Sequence, residues 1–244
     1  MKKIHTFTFS ILTMIFVCLS GLLNVSNAQD AKLTYGGKAG FSLNYFYSTQ
    51  PYMDLHYGGA GGGFAAFHLN ENMAVQLEAM YFVMGGKTTV ISDDRRFGAF
   101  AVFQAPIFTE SKISLHKIYT PLLFKYKLPL DIGVPVSLQV GPDASMIVYG
   151  YARRLHTGQV NDGSGILISE ESEDNVTDVY EPFDIGATAG LGFEIPAGFG
   201  TLMIDLRYRY GITPAYKGFS YIDYVQVQED ITAHSAYITV GVQL

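Results

Sequence analysis

From Phe183 to Ile195 the chain reads Phe-Asp-Ile-Gly-Ala-Thr-Ala-Gly-Leu-Gly-Phe-Glu-Ile, with apolar residues at every odd position and Asp, Gly, Thr or Glu at every even one. Successive side chains of a strand point to opposite faces, so this period of two makes a ribbon with one greasy face and one small or charged face. Residues 201–213 repeat it: Leu202, Ile204, Leu206, Tyr208 and Tyr210 alternate with Asp205, Arg207, Arg209 and Gly211. A helix needs a period near 3.6, and neither stretch has it.

The pattern predicts eight strands, at 34–46, 57–69, 73–87, 113–128, 136–149, 183–195, 201–213 and 234–244. Connectors 70–72, 128–135 and 196–200 are short and built from Asn, Gly and Pro, the residues of tight turns. Connectors 47–56, 88–112, 151–182 and 214–233 are long, and are expected to be loops. An antiparallel meander puts all the short turns at one end and all the long loops at the other, as outer-membrane barrels do.

Which face meets water follows from volume. Eight strands enclose a lumen only wide enough to be filled by side chains. The large apolar residues would overfill it, and the outer surface left to Gly, Ala and Thr would be a poor soluble surface. Turned inside out, the same barrel puts Leu, Val, Ile and Phe against hydrocarbon, and closure leaves no backbone group unpaired in lipid. The fold class expected is therefore all-β: an eight-stranded antiparallel up-and-down transmembrane barrel with short periplasmic turns and long external loops. The same parity places Lys38, Glu78, Lys125, Asp143, Asp184, Glu194, Asp205, Arg207 and Arg209 in the lumen as an ion network, since buried charges must pair.

The first 28 residues fit an export signal: Lys2 and Lys3, an apolar run from about Ile11 to Leu23, then Ser26-Asn27-Ala28, with cleavage expected between Ala28 and Gln29. Residues 29–244 are then one barrel domain, exported to the bacterial outer membrane. Cys18, the one cysteine, falls within the signal, so the mature domain carries no thiol chemistry. The 22 acidic residues outnumber the 16 basic ones, which argues against nucleic acid as a partner.

Tyr35-Gly-Gly-Lys-Ala-Gly-Phe-Ser-Leu-Asn44, Leu69-Asn-Glu-Asn-Met-Ala-Val-Gln-Leu-Glu-Ala-Met-Tyr81, Tyr119-Thr-Pro-Leu-Leu-Phe-Lys-Tyr126, Gly186-Ala-Thr-Ala-Gly-Leu-Gly-Phe193 and Arg207-Tyr-Arg-Tyr-Gly-Ile212 together touch nearly every expected strand. On these pieces the chain resembles the PorT-type outer-membrane β-barrel family of Bacteroidetes. The resemblance implies an eight-stranded outer-membrane barrel. It implies little about activity, although PorT itself is associated with type IX secretion.

Gly58–Gly63 loosely fits a phosphate-binding loop, but a strand and a turn follow it where a helix would be needed, so no cofactor is expected. Ser114 and His116 share a face near the external rim, and His234 begins the last strand near the same rim. They are the candidates for an outer-leaflet lipid-modifying enzyme, a chemistry that needs a Ser–His hydrogen bond and an orienting carboxylate. Glu170, Glu171, Glu173 and Asp174 lack the ligand spacing of a Ca²⁺ loop, and a solvated loop is expected there. The function expected is that of a non-enzymatic structural or interaction scaffold. Its partners are outer-membrane lipid and, through the external loops, other envelope or secretion proteins. A lipid-modifying enzyme or a small solute pore are the alternatives.

Overall fold

A computed structural model describes residues 33–47, 53–92, 103–160, 167–215, 220–222, 225–227 and 230–244. The expected cleavage site at Ala28 and Gln29 lies outside them. The strands are β1 (Leu33–Tyr47), β2 (Met53–Asp54), β3 (His56–His68), β4 (Met73–Ser92), β5 (Phe103–Lys127), β6 (Val136–Val160), β7 (Leu167–Asn175), β8 (Phe183–Ala197), β9 (Gly200–Gly211), β10 (Ser220–Ile222), β11 (Val225–Val227) and β12 (Thr232–Gln243).

Eight of these close a ring in the order β1, β3, β4, β5, β6, β8, β9, β12, and every neighbour is antiparallel. First and last strands zip the seam from Gly36 opposite Gln243 to Tyr47 opposite Thr232. This is the eight-stranded antiparallel barrel that the alternation predicts.

Tight turns fix one end. Between β3 and β4, Leu69 N–H donates to the Met73 carbonyl (2.8 Å), and Asn72 N–H donates to the Asn70 side chain (2.9 Å). The other two turns each place a glycine at positive φ, Gly133 at 79° and Gly200 at 144°, where a Cβ would be strained. The chain enters β1 and leaves β12 at this same end, which marks it as the periplasmic one.

Polarity is inverted. Outward residues stay exposed, as with Phe41 at 78%, Ile185 at 53% and Val140 at 48%, while inward Arg209, Glu78 and Asp205 are at most 1% exposed. Among the described residues no helix is long and apolar enough to cross a membrane. The barrel crosses with strands.

Two expectations need correction. Residues 88–112 and 151–182 do not stay loops throughout: β4, β5 and β6 run on through much of them, and β7 adds a further strand against β6. β5 and β6 each span 25 residues, well beyond the roughly 9–11 needed to cross a bilayer. Above the lipid both faces of a strand are wet, so hydrophobic alternation fades while backbone pairing continues. The outer parts of β4, β5, β6 and β7 form a four-stranded external blade; one row across it reads Val90, Thr109, His156, Glu170. Of the aromatic residues in the expected loop 88–112, Phe97 and Phe100 lie outside the described residues.

The second correction concerns the lumen, which is not polar throughout. Phe46, Met80, Phe82, Met84, Ile113, Leu115 and Ile231 are buried in one cluster with Tyr119 and Tyr237. Eight strands leave a bore that side chains must fill, and in its outer part these apolar groups share it with buried polar ones such as Asn44, His56 and Ser114.

The candidate site: lumen network and outer rim

The lumen charges form three groups along the axis. Nearest the periplasm, Lys125 Nζ meets Glu194 Oε1 at 2.9 Å, with Glu194 partly exposed. Higher up, Lys38 Nζ bridges Glu78 Oε1 (2.8 Å) and Asp205 Oδ2 (2.7 Å), and Arg207 binds the same two carboxylates at 2.8 and 2.9 Å. Gln139 Nε2 donates to Asp205 Oδ1 at 2.8 Å. In the third group Arg209 bridges Asp143 (2.7 Å) and Asp184, while Lys117 also binds Asp184. Ser145 and Thr188 hydroxyls donate to these two carboxylates at 2.8 and 2.9 Å.

Each of the two inner groups thus holds two cations and two anions, which offsets the cost of desolvating them. Lys117, 1% exposed, is the lumen cation that sequence reasoning missed. With it the basic and acidic lumen groups balance at five each, counting Lys38, Lys117, Lys125, Arg207 and Arg209 against Glu78, Asp143, Asp184, Glu194 and Asp205.

The glycines of β8 make room for this packing. A Cβ at Gly192 would stand 2.1 Å from Gln139 Nε2, and one at Gly186 would stand 2.8 Å from Asp143 Oδ1. Gly186, Gly190 and Gly192 thus stand where polar and charged side chains from neighbouring strands occupy the space beside them.

An aromatic layer packs within the network, between the second and third charge groups. Phe82 packs on Tyr119 (5.2 Å between centroids) and edge-on to Tyr237 (5.3 Å), and the Arg209 guanidinium lies 5.6 Å from the centre of the Tyr119 ring. Tyr119 Oη lies 2.5 Å from Thr188 Oγ1 and 3.2 Å from Tyr237 Oη, and Thr188 in turn donates to Asp143, so the layer is tied to the third charge group. Further out, Phe46 stacks on Tyr180 at 5.9 Å. The segment carrying Tyr180 is held by Glu181 N–H to the Ala215 carbonyl (2.9 Å), and Ala215 N–H binds the Ile231 carbonyl (2.7 Å). Tyr180, Ala215 and Ile231 thus join the buried cluster at the outer end of the lumen.

At the rim, Ser114 and His116 do not meet. Ser114 Oγ lies 3.1 Å from His56 Nε2, both residues are buried, and His56 Nδ1 has no partner. His116 instead meets Tyr81 Oη through Nδ1 (2.5 Å) and stacks on Tyr151. His234 stacks on Tyr45 and Tyr208 and meets Tyr210 edge-on at 4.7 Å. His116 on β5 and His234 on β12 stand on opposite sides of the ring, each at the centre of a tyrosine cluster of the kind that belts a barrel at the membrane surface. The pairing of His56 with Ser114 left no sequence signal, because residues 47–56 show no alternation.

On the blade, Arg153 meets Glu171 (3.1 Å) and Glu173 (3.3 Å), and Arg154 meets Asp174. The acidic run is thus a strand paired with β6, with Glu171, Glu173 and Asp174 bound by its two arginines. Lys87 pairs with Glu110 at 2.8 Å, and this hydrogen bond and the carboxylate's charge hold its ammonium above the ordinary lysine range. Among the described residues no group of three or more His, Cys, Asp or Glu is gathered to hold a metal ion. Gly58–Gly63 form the middle of β3 and are followed by more strand and a turn.

The sequence profile of the outer membrane protein beta-barrel domain matches residues 27–217. The chain belongs to that family. Its place is accordingly the bacterial outer membrane, which agrees with the lipid-facing surface described above. Solved structures similar to the chain include Neisserial surface protein A, at 14% identity and a TM-score of 0.40, covering 88% of this chain and 99% of that one. The attachment invasion locus protein Ail of Yersinia pestis is 13% identical with a TM-score of 0.37, covering 86% and 98%. The outer membrane protease OmpT of Escherichia coli is 10% identical with a TM-score of 0.37, covering 87% and 95%. No curated protein matches the chain in sequence.

Proposed function

We propose that this outer-membrane barrel works as a non-catalytic interaction scaffold whose contacts are made by the external blade. The observation that carries this reading is the union of a closed lumen with a rigid projecting sheet. Buried side chains line the bore from Lys125 to Tyr180, while the outer parts of β4, β5 and β6, together with β7, extend beyond the lipid with Phe108 and Leu155 exposed at 46% and 42%. A rigid scaffold displaying surface segments is the common arrangement for binding. The likeness to PorT-type barrels makes secretion-associated envelope proteins the first partners to look for.

Photo-crosslinkers placed in living cells at Phe108, at Leu155 and at lipid-facing Val140 test it. The two blade positions should give discrete protein adducts and Val140 should give none. Absence of blade adducts would contradict the proposal.

The second reading, a lipid-modifying enzyme, has one specific observation behind it: the Ser114–His56 hydrogen bond. It predicts acyl hydrolysis or transfer by the purified protein that Ser114→Ala abolishes. Neither Ser114 nor His56 has a carboxylate among its bonded partners here, and both are buried, so the scaffold reading is preferred.

A further inference from the structure

The barrel's outer surface carries a groove of about 470 Å³ over strands β9, β12, β1 and β3. Its walls are Phe41, Leu43, Tyr57, Leu206 and Ile238, and its floor is Ala236. Local sequence makes it. Leu43 and Tyr208 flank Ala236 in register from the two neighbouring strands, and Ala236 is too small to fill the row between them. Phe41 faces Gly59, which has no side chain to cover it, and so stands 78% exposed as a wall. A pocket of this size lies within the ~300–1,000 Å³ that typically holds a small ligand.

Position decides the occupant. The walls belong to the same outward face as the residues that meet hydrocarbon, so what enters is a hydrocarbon chain. Ala236 is four residues below Thr232, where β12 begins at the external end, which puts the groove in the outer half of the barrel. The upper end is polar. Tyr45 follows Leu43 on β1, Tyr208 follows Leu206 on β9, and their hydroxyls meet at 2.8 Å across β12. His234, next outward-facing residue on β12, lies 3.3 Å through Nδ1 from the Tyr208 hydroxyl, and its Nε2 lies 3.0 Å from Thr232 Oγ1. An apolar slot with a hydrogen-bonding lip matches a fatty-acyl chain whose carbonyl sits at the lip.

We infer that this groove is a specific site for one acyl chain of an outer-leaflet lipid, held by the Tyr45–Tyr208 pair at its carbonyl end. The inference does not rest on the scaffold reading, since it concerns the lipid face and not the blade.

The chain contains no tryptophan, so a single introduced one reports its own surroundings. The test uses the refolded full-length barrel in vesicles of phosphatidylethanolamine and phosphatidylglycerol doped with phospholipid brominated along its acyl chains. Phe41→Trp reports on the groove and Val140→Trp on ordinary lipid contact. Phe41→Trp should reach half-quenching at a several-fold lower brominated fraction than Val140→Trp. Adding Ala236→Phe, which fills the floor, should abolish that difference, and Tyr45→Phe with Tyr208→Phe should reduce it. A heat-shift gel confirms that each variant is a folded barrel. Coincident quenching curves for the two reporters would overturn the proposal, as would an Ala236→Phe variant quenched like its parent. Weaker quenching at Phe41→Trp together with dimers cross-linked at Leu206 would also overturn it, because a second copy would then fill the groove.

Discussion

Arg209 and Arg153 each bridge two carboxylates on the same barrel, and their surroundings could hardly differ more. Arg209 lies in the lumen, its side chain fully buried, between Asp143 and Asp184. Arg153 lies on the blade, its side chain 56% exposed, between Glu171 and Glu173. The same pairing chemistry therefore has two different consequences. In the lumen each charge has been removed from water and depends on its partners, so loss of one leaves a buried ion uncompensated. On the blade water replaces a lost partner at little cost. What fixes the structure is the inside of the barrel, and what is free to change is the outside.

The comparison can be broken most sharply at Arg209. Arg209→Met should lower stability by about 3–5 kcal/mol, because Asp143 and Asp184 lose their shared cation. Urea titration in detergent micelles, followed by the heat-shift gel, measures this. A loss no larger than that of a surface pair would mean the lumen is wetter than its side-chain burial indicates. Tyr119→Phe probes the aromatic layer packed against the charges. Removing a hydroxyl that contacts Thr188 and Tyr237 should cost about 1–3 kcal/mol in the same titration. The smallest effect belongs to Arg153→Ala, expected at about 0–1 kcal/mol and shrinking further at high salt. A large, salt-independent loss there would show that the blade is part of the folding core.

Strand number, the outward face and the positions of the tight turns could be read from the sequence, because lipid forces a strict period of two wherever a strand crosses it. The blade was not legible for the same reason: above the lipid both faces are solvated, and a run such as Ser169-Glu-Glu-Ser-Glu-Asp174 carries no alternating hydrophobicity. Its strand character comes from backbone pairing with β6 and from Arg153 and Arg154, whose partners are distant in sequence. Lys117 was hidden by its company. It shares parity with Leu115, Tyr119 and Leu123, so its inward face reads as apolar, and a register shift against β6 falls between His116 and Lys117. Extending the parity of Lys125 back along β5 would have found it. The aromatic seal escaped because Phe82 and Met84 lie inside while Tyr81 and Val83 lie outside, so the outer half of β4 is greasy on both faces.

Conductance across a planar lipid bilayer tests the closed lumen most directly. The purified full-length barrel, inserted at physiological salt, should give no discrete current steps over the ordinary voltage range, because ion pairs and the Phe82, Tyr119 and Tyr237 layer fill the bore. Regular single-channel steps from the wild-type protein would contradict the account and return the barrel to the class of pores.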